Sequence, residues 1–268
     1  MDFYIIRIKG HAESEKVAAR CLNSIRAFYP NFYEDNLDKS TGDKPGKGYF
    51  NAFTPDDNPE KILRKEGIID FGKFKEVYSR YENCIAAFCS HYHTWKSIAE
   101  TKSPAFIFEH DAIINNALPI SSSVKKGGTS KALISNDAVG HPNAAYKKKY
   151  TSHFSLGNIV NIGQPSYGKF NTPSSIGINP LTSKRYFPGA HGYYVTPDGA
   201  RRLMKVAKKE AGPTDIFLSL NNFPELQEWY PWSCIAKDNF STIQRKEGIL
   251  AKHTYNPNDP SSFKILKA

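Results

Sequence analysis

The segment Pro104-Ala105-Phe106-Ile107-Phe108-Glu109-His110-Asp111 constrains this chain more than any other. A short apolar run stops abruptly at two carboxylates with one residue between them. Read as a buried strand, the run delivers both acids to its carboxyl end, the edge of an open α/β sheet where ligands bind. Residues two apart on a strand point to one side of the sheet, so Glu109 and Asp111 form a same-side pair. Such a pair can hold a hard divalent cation, and the cation can hold a diphosphate. The competing reading is a strand followed by a solvated acidic turn.

A packed globular core is expected around that strand. The 268 residues suffice for one large domain or two small ones, and 40% of them are hydrophobic against 23% charged. No apolar run approaches the roughly 20 residues of a membrane span. The start Met1-Asp2-Phe3-Tyr4-Ile5-Ile6-Arg7 reads as a first strand and not a signal peptide. Cys21, Cys84, Cys89 and Cys234 fit neither a zinc module nor a dense disulfide framework. Reduced core thiols and a cytoplasmic location are expected. The net charge of +10 attracts phosphate, whether in a nucleotide, an anionic lipid or a nucleic acid. Its lysines cluster at Lys125-Lys126, Lys147-Lys148-Lys149 and Lys208-Lys209, which also read as plain solvated surface. Nucleic acid therefore stays among the candidate partners.

Along the chain, Phe3 to Ile8 reads as a strand. Ser14 or Glu13 opens a helix whose apolar face is Val17, Ala18, Cys21, Leu22, Ile25 and Phe28. Residues 30 to 60 are loop-like. Helical spacing runs from about 73 to 100 as one long helix or two abutting ones, with His91 and Trp95 on one face. A Ser-, Lys- and Gly-rich loop spans 119 to 131, a strand is expected at 132 to 135, and 157 to 177 holds short β segments at most. Tyr193-Tyr194-Val195 reads as a strand. Thr196-Pro197-Asp198 combines a capping hydroxyl, a proline at the first helical position and an acid in the first turn. Gly212-Pro213 ends that helix, and Asp215 opens another apolar segment.

Four pieces then stand in order: Cys89-Ser90-His91-Tyr92-His93-Thr94-Trp95, Ile107-Phe108-Glu109-His110-Asp111-Ala112, Gly189-Ala190-His191-Gly192-Tyr193-Tyr194-Val195 with Gly199-Ala200, and Pro213-Thr214-Asp215. The arrangement resembles glycosyltransferase family 25, the lipooligosaccharide and collagen-type galactosyltransferases. The likeness covers 85–112 and 187–245 well and 3–28 thinly, and leaves 30–70 and 115–180 unaccounted for. The middle acid of the family's Glu-Asp-Asp triplet is His110 here. On a continuing strand His110 points away from its neighbours, so two candidate ligands survive; its imidazole, itself a competent ligand, bears on metal preference.

The resemblance implies a single GT-A-like α/β domain over residues 1–268, with a mixed, mostly parallel central sheet flanked by helices. Residues 1–112 would form the nucleotide-sugar and metal half, 113–186 variable loops, and 187–268 the acceptor half. It implies a sugar transfer from a UDP-sugar or other nucleoside-diphosphate sugar to a hydroxyl acceptor, glycan or protein, assisted by Mn²⁺ or Mg²⁺. A viral member would work in the host cytoplasm. Glu109 and Asp111 are the candidate metal ligands. Arg7, His91, Glu109 and His191 are the candidate donor-binding residues, and His253 is a late candidate ligand. Asp215 is the candidate base or acceptor-binding acid, and its position also suits a helix cap. His91 and Trp95 read equally as core. Two alternatives stand beside this reading. One is a glycosyltransferase acting on hydroxylated bases of DNA, with the lysine loops on phosphates. The other is a non-catalytic basic module that binds nucleic acid or glycan.

Overall fold

The computed structural model describes residues 2–29, 48–75, 79–119, 158–166, 168–236, 240–243 and 264–265. The basic loops around Lys125-Lys126 and Lys147-Lys148-Lys149, the strand expected at 132 to 135 and His253 lie outside them.

Strand β1 (Asp2–Arg7) is followed by helix α1 (Ala12–Phe28) and strand β2 (Gly48–Asn51). Helix α2 (Pro59–Lys65) and helix α3 (Tyr81–Thr101) lead into β3 (Ala105–Glu109) and β4 (Ala112–Ile114). Then come β5 (Ile159–Asn161), β6 (Gly177–Pro180) and β7 (Gly192–Val195). Helix α4 (Pro197–Glu210), the short helix α5 (Thr214–Phe217), β8 (Gln227–Tyr230) and β9 (Cys234–Ala236) follow. Two short strands, β10 (Phe240–Ser241) and β11 (Lys264–Ile265), pair in parallel.

Seven strands form one sheet in the order β2-β1-β3-β7-β5-β8-β6. Strands β1, β2, β3, β5 and β8 run one way and β6 and β7 the other, giving the mixed, mostly parallel sheet expected of the family. The order matters for function. From β1 the chain crosses to β2 on one side, then returns to place β3 on the other. The carboxyl ends of β1 and β3 therefore flank a topological switch point, where a crevice opens in sheets of this kind.

Side-chain alternation divides the core. Ala105 and Ile107 of β3 join Tyr193 and the α3 side chains on one face, while Phe106 and Phe108 join Tyr194 and the α1 side chains on the other. Period two then carries Glu109 to the α3 face. The cap of α1 is His11, which accepts from Ser14 N, so the helix opens earlier than Ser14 or Glu13. Its apolar face is buried as expected except at Phe28, which is exposed. Two expectations are corrected. Gly48–Asn51, inside the stretch read as loop, is an edge strand pairing with Tyr4 to Arg7. The helix expected from 73 begins at Tyr81, with a separate 3-10 turn at Gly72–Phe74.

Candidate active site

The chain leaves the central sheet at Glu109. His110 and Asp111 form a turn, and β4 pairs with β9 in a sheet of its own. The Glu109/Asp111 pair is thus not two residues of one strand, although both side chains still line one cavity of about 1040 Å³. Asp111 is 1% exposed. His110 does turn elsewhere: its Nδ1 lies 2.7 Å from Ser14 Oγ at the start of α1, and it lines a smaller neighbouring cavity instead.

Antiparallel register with β7 builds the opposite wall. Phe108 pairs with Gly192, and the Glu109 N–H donates to the His191 carbonyl at 3.1 Å, which sets the two residues side by side. Glycines make room there. A Cβ on Gly163 would lie 2.7 Å from His191 Nε2, and one on Gly192 would lie 2.2 Å from Cys234 Sγ. Ala190, which also lines the cavity, holds a left-handed φ of 46°. Strain of that kind in a non-glycine residue gathers at ligand sites.

Below the rim, His91 on α3 reaches Glu109 Oε1 through Nε2 at 3.2 Å, and its Nδ1 lies 2.7 Å from the Tyr193 hydroxyl. Trp95 Nε1 donates to the same hydroxyl at 2.8 Å. Trp95 is fully buried and stacks on Phe217, so it is a core residue. Burial pushes the Tyr193 phenol well above its ordinary value, with the Trp95 hydrogen bond opposing this weakly. Burial likewise pushes up the Cys234 thiol, aided by nearby Cys21 and Asp111. All four cysteines are buried and unpaired in disulfides.

The floor and far side come from the segment after α4. Gly212, Pro213, Thr214, Asp215 and Ile216 all line the cavity. Asp215 is not the cap of α5; it sits in the first turn, and its carboxylate accepts from the Ile216 N–H at 2.9 Å. Glu109, Asp111, His191 and Asp215 are therefore brought to one cavity from three separate segments. Arg7 is not: its guanidinium pairs with Glu15 at 3.4 Å and lies 4.3 Å over the Tyr49 ring, and it lines neither cavity. His91 lines the smaller cavity.

The smaller cavity, about 90 Å³, lies at the switch point, walled by Ile6, Ile8, Ala52, Phe53 and Pro55. It shares Glu109, Ala87, Ser241 and Ile243 with the larger one, so Glu109 stands where the two meet. Acidic groups dominate the larger cavity. Among the described residues lining it, Glu109, Asp111, Glu210 and Asp215 face a single Lys or Arg, Lys73, which pairs with Glu210.

Sequence reasoning missed Tyr193 as a polar partner of the site, because its facing depends on the β3–β7 register. It also missed Gly163, whose closeness to His191 is a long-range contact with no local mark. Among the described residues no helix is long and apolar enough to cross a membrane, and no group of three or more His, Cys, Asp or Glu gathers that could hold a metal ion.

No curated protein matches the chain. The family model described as glycosyltransferase family 25 (LPS biosynthesis protein) matches residues 45–218, well over half of the 268. That span contains the Ser90–Trp95 helix segment, the Glu109/Asp111 turn, His191 with the strand after it and Asp215, and it takes in 45–70 and 115–180 of the stretches that the motif likeness left unaccounted for. The chain belongs to glycosyltransferase family 25.

Proposed function

We propose that this glycosyltransferase moves a sugar from a nucleoside-diphosphate donor to a neutral hydroxyl acceptor, a saccharide or a protein side chain, with Mn²⁺ or Mg²⁺ assisting. The observation that carries the reading is the acidic rim at the switch point. A diphosphate entering this cavity meets Glu109, Asp111 and Asp215, while the one lysine among the described lining residues, Lys73, is already paired with Glu210. Like charges at this range repel unless a cation intervenes. Two carboxylates without a third protein ligand suit Mg²⁺ or Mn²⁺, which keeps waters and takes its remaining ligands from substrate phosphates. Bound there, the ion would supply Lewis-acid stabilisation of the diphosphate as it departs.

The chain's own residues would divide the remaining work. Glu109 and Asp111 would hold the ion between the two cavities. The apolar cleft of Ile6, Ile8, Ala52 and Phe53 would take an edge of the donor's base, with the rest of the donor in the larger cavity, in keeping with ligand placement at a switch point. His191 would stand against the donor on the β7 side. Asp215 would accept the hydroxyl proton of the acceptor, or orient it, from the far wall. A volume of about 1040 Å³ reaches the top of the range for a single drug-sized ligand, leaving room for donor sugar and acceptor together. The acidic lining argues against a phosphate-rich acceptor such as DNA entering here, whatever the net charge of the whole chain.

The test is a panel of nucleoside-diphosphate sugars crossed with saccharides, hydroxylated peptides and hydroxymethylated DNA, with products read by intact mass. A glycosylated saccharide or peptide is expected. Product on DNA alone would overturn the acceptor assignment, and no product or donor turnover anywhere would favour a binding module.

A further inference from the structure

We propose that Trp95, Tyr193 and His91 form a positioning relay that fixes which nitrogen of His91 carries the proton and thereby holds Glu109 in the orientation that receives the ion. This deepens the metal-assisted reading above and rests on it.

The direction of the relay follows from what each group can do. An indole N–H can only donate, so Trp95 Nε1 gives its proton to the Tyr193 oxygen at 2.8 Å. Burial keeps the Tyr193 phenol protonated at neutral pH. Its own O–H then points to His91 Nδ1, 2.7 Å away. Nδ1 becomes an acceptor, the ring proton sits on Nε2, and Nε2 donates to Glu109 Oε1 at 3.2 Å. Tyr193 and Trp95 are completely buried and His91 is 1% exposed, whereas Glu109 keeps 27% of its side chain exposed at the cavity.

Packing alone does not account for the arrangement. Phe at position 193 would fill the same space beside Phe187 and Ile107, and the surrounding cluster is otherwise apolar. Three polar groups in such a cluster are costly unless each is satisfied, and here each satisfies the next. The relay ends on Glu109, the member that lines the larger cavity. Groups that orient a ligand from behind in this way are worth about 10- to 100-fold in metal affinity or activity.

Calorimetric titration of Mn²⁺ into protein saturated with UDP tests the relay on wild type, Tyr193→Phe, His91→Ala and His91→Gln. Tyr193→Phe and His91→Ala are expected to weaken Mn²⁺ binding by about tenfold or more. His91→Gln, whose amide N–H can replace Nε2–H, is expected to retain most of it. Wild-type affinity in Tyr193→Phe, or equal loss in His91→Gln and His91→Ala, would overturn the relay. A wild type that binds no Mn²⁺ beside UDP would instead contradict the metal reading. Nitrogen-15 resonances of the ligand-free wild type give a second readout that needs no variant to fold. A proton on His91 Nε2, hydrogen-bonded to Glu109, is expected, and a proton on Nδ1 would sink the proposal.

Discussion

Asp215 shows how far one residue can be read before its neighbours are known. A carboxylate after Gly212-Pro213 suits a helix cap and suits a base, and the sequence does not separate the two. In the structure the acid sits in the first turn of α5, accepts from the Ile216 N–H at 2.9 Å and lines the cavity. Replacement by Asn keeps the shape and removes the basicity. Asp215→Asn is therefore expected to lower kcat by about 10²- to 10⁴-fold while leaving UDP affinity unchanged. Parallel single-turnover rates and UDP titrations would check this; a variant with normal turnover would return Asp215 to a structural role. The motifs made the acids and histidines visible because their chemistry is written in residue type. Their partners were not visible. Arg7 looked suited to phosphate, but its neighbours Glu15 and Tyr49 claim it, and Tyr193 looked like any strand residue until β7 was laid beside β3.

Elements with strong local chemistry were legible, and elements defined by their partners were not. Thr196-Pro197-Asp198 does open α4, with the Gly199 N–H donating to Thr196 Oγ1 at 3.0 Å. β3 announced itself through its apolar run. β2 did not, because four residues amid turn formers become a strand only when β1 supplies the ladder. Two substitutions test contacts of this long-range kind. Gly163→Ala places a methyl against the buried His191 ring. It is expected to cost about 1–3 kcal/mol by overpacking, with much of the loss recovered in Gly163→Ala/His191→Ala. Denaturant unfolding of these two variants and of His191→Ala measures the coupling. Glu228, wholly buried on β8, accepts from the N–H groups of Thr182 and Ser183 at 2.7 and 2.8 Å and from the Thr182 hydroxyl at 3.1 Å. Those three bonds share Oε1, so in Glu228→Gln the amide oxygen can keep them only by turning its NH2 toward the Trp232 Nε1–H, which donates to the other carboxylate oxygen at 3.4 Å. A loss of about 1–3 kcal/mol in unfolding free energy is expected, without change in UDP affinity.

At the scale of the whole molecule, buried aromatics tie stability to pH. Burial raises the phenols of Tyr4, Tyr92 and Tyr194 from 10.0 to about 12. Between those values the folded chain holds protons that the unfolded chain releases, so the unfolding free energy falls as pH rises. Their contribution is complete below about pH 10 and is lost on approach to pH 12, where unfolding and tyrosinate absorbance should rise together. Charge tells a different story at this scale. The chain carries +10, yet among the described residues the larger of the two cavities is lined by four carboxylates and one lysine, so total charge does not describe this surface. The central claim is that Glu109 and Asp111 grip a cation that holds a donor diphosphate at the switch point. It is tested most directly by nucleoside-diphosphate release from donor sugars, measured with Mn²⁺ and with chelator, on wild type and Asp111→Ala. Release that needs Mn²⁺ and falls at least about 100-fold in the variant is the predicted result. Release that persists in chelator, or that survives the loss of Asp111 unchanged, would contradict the account.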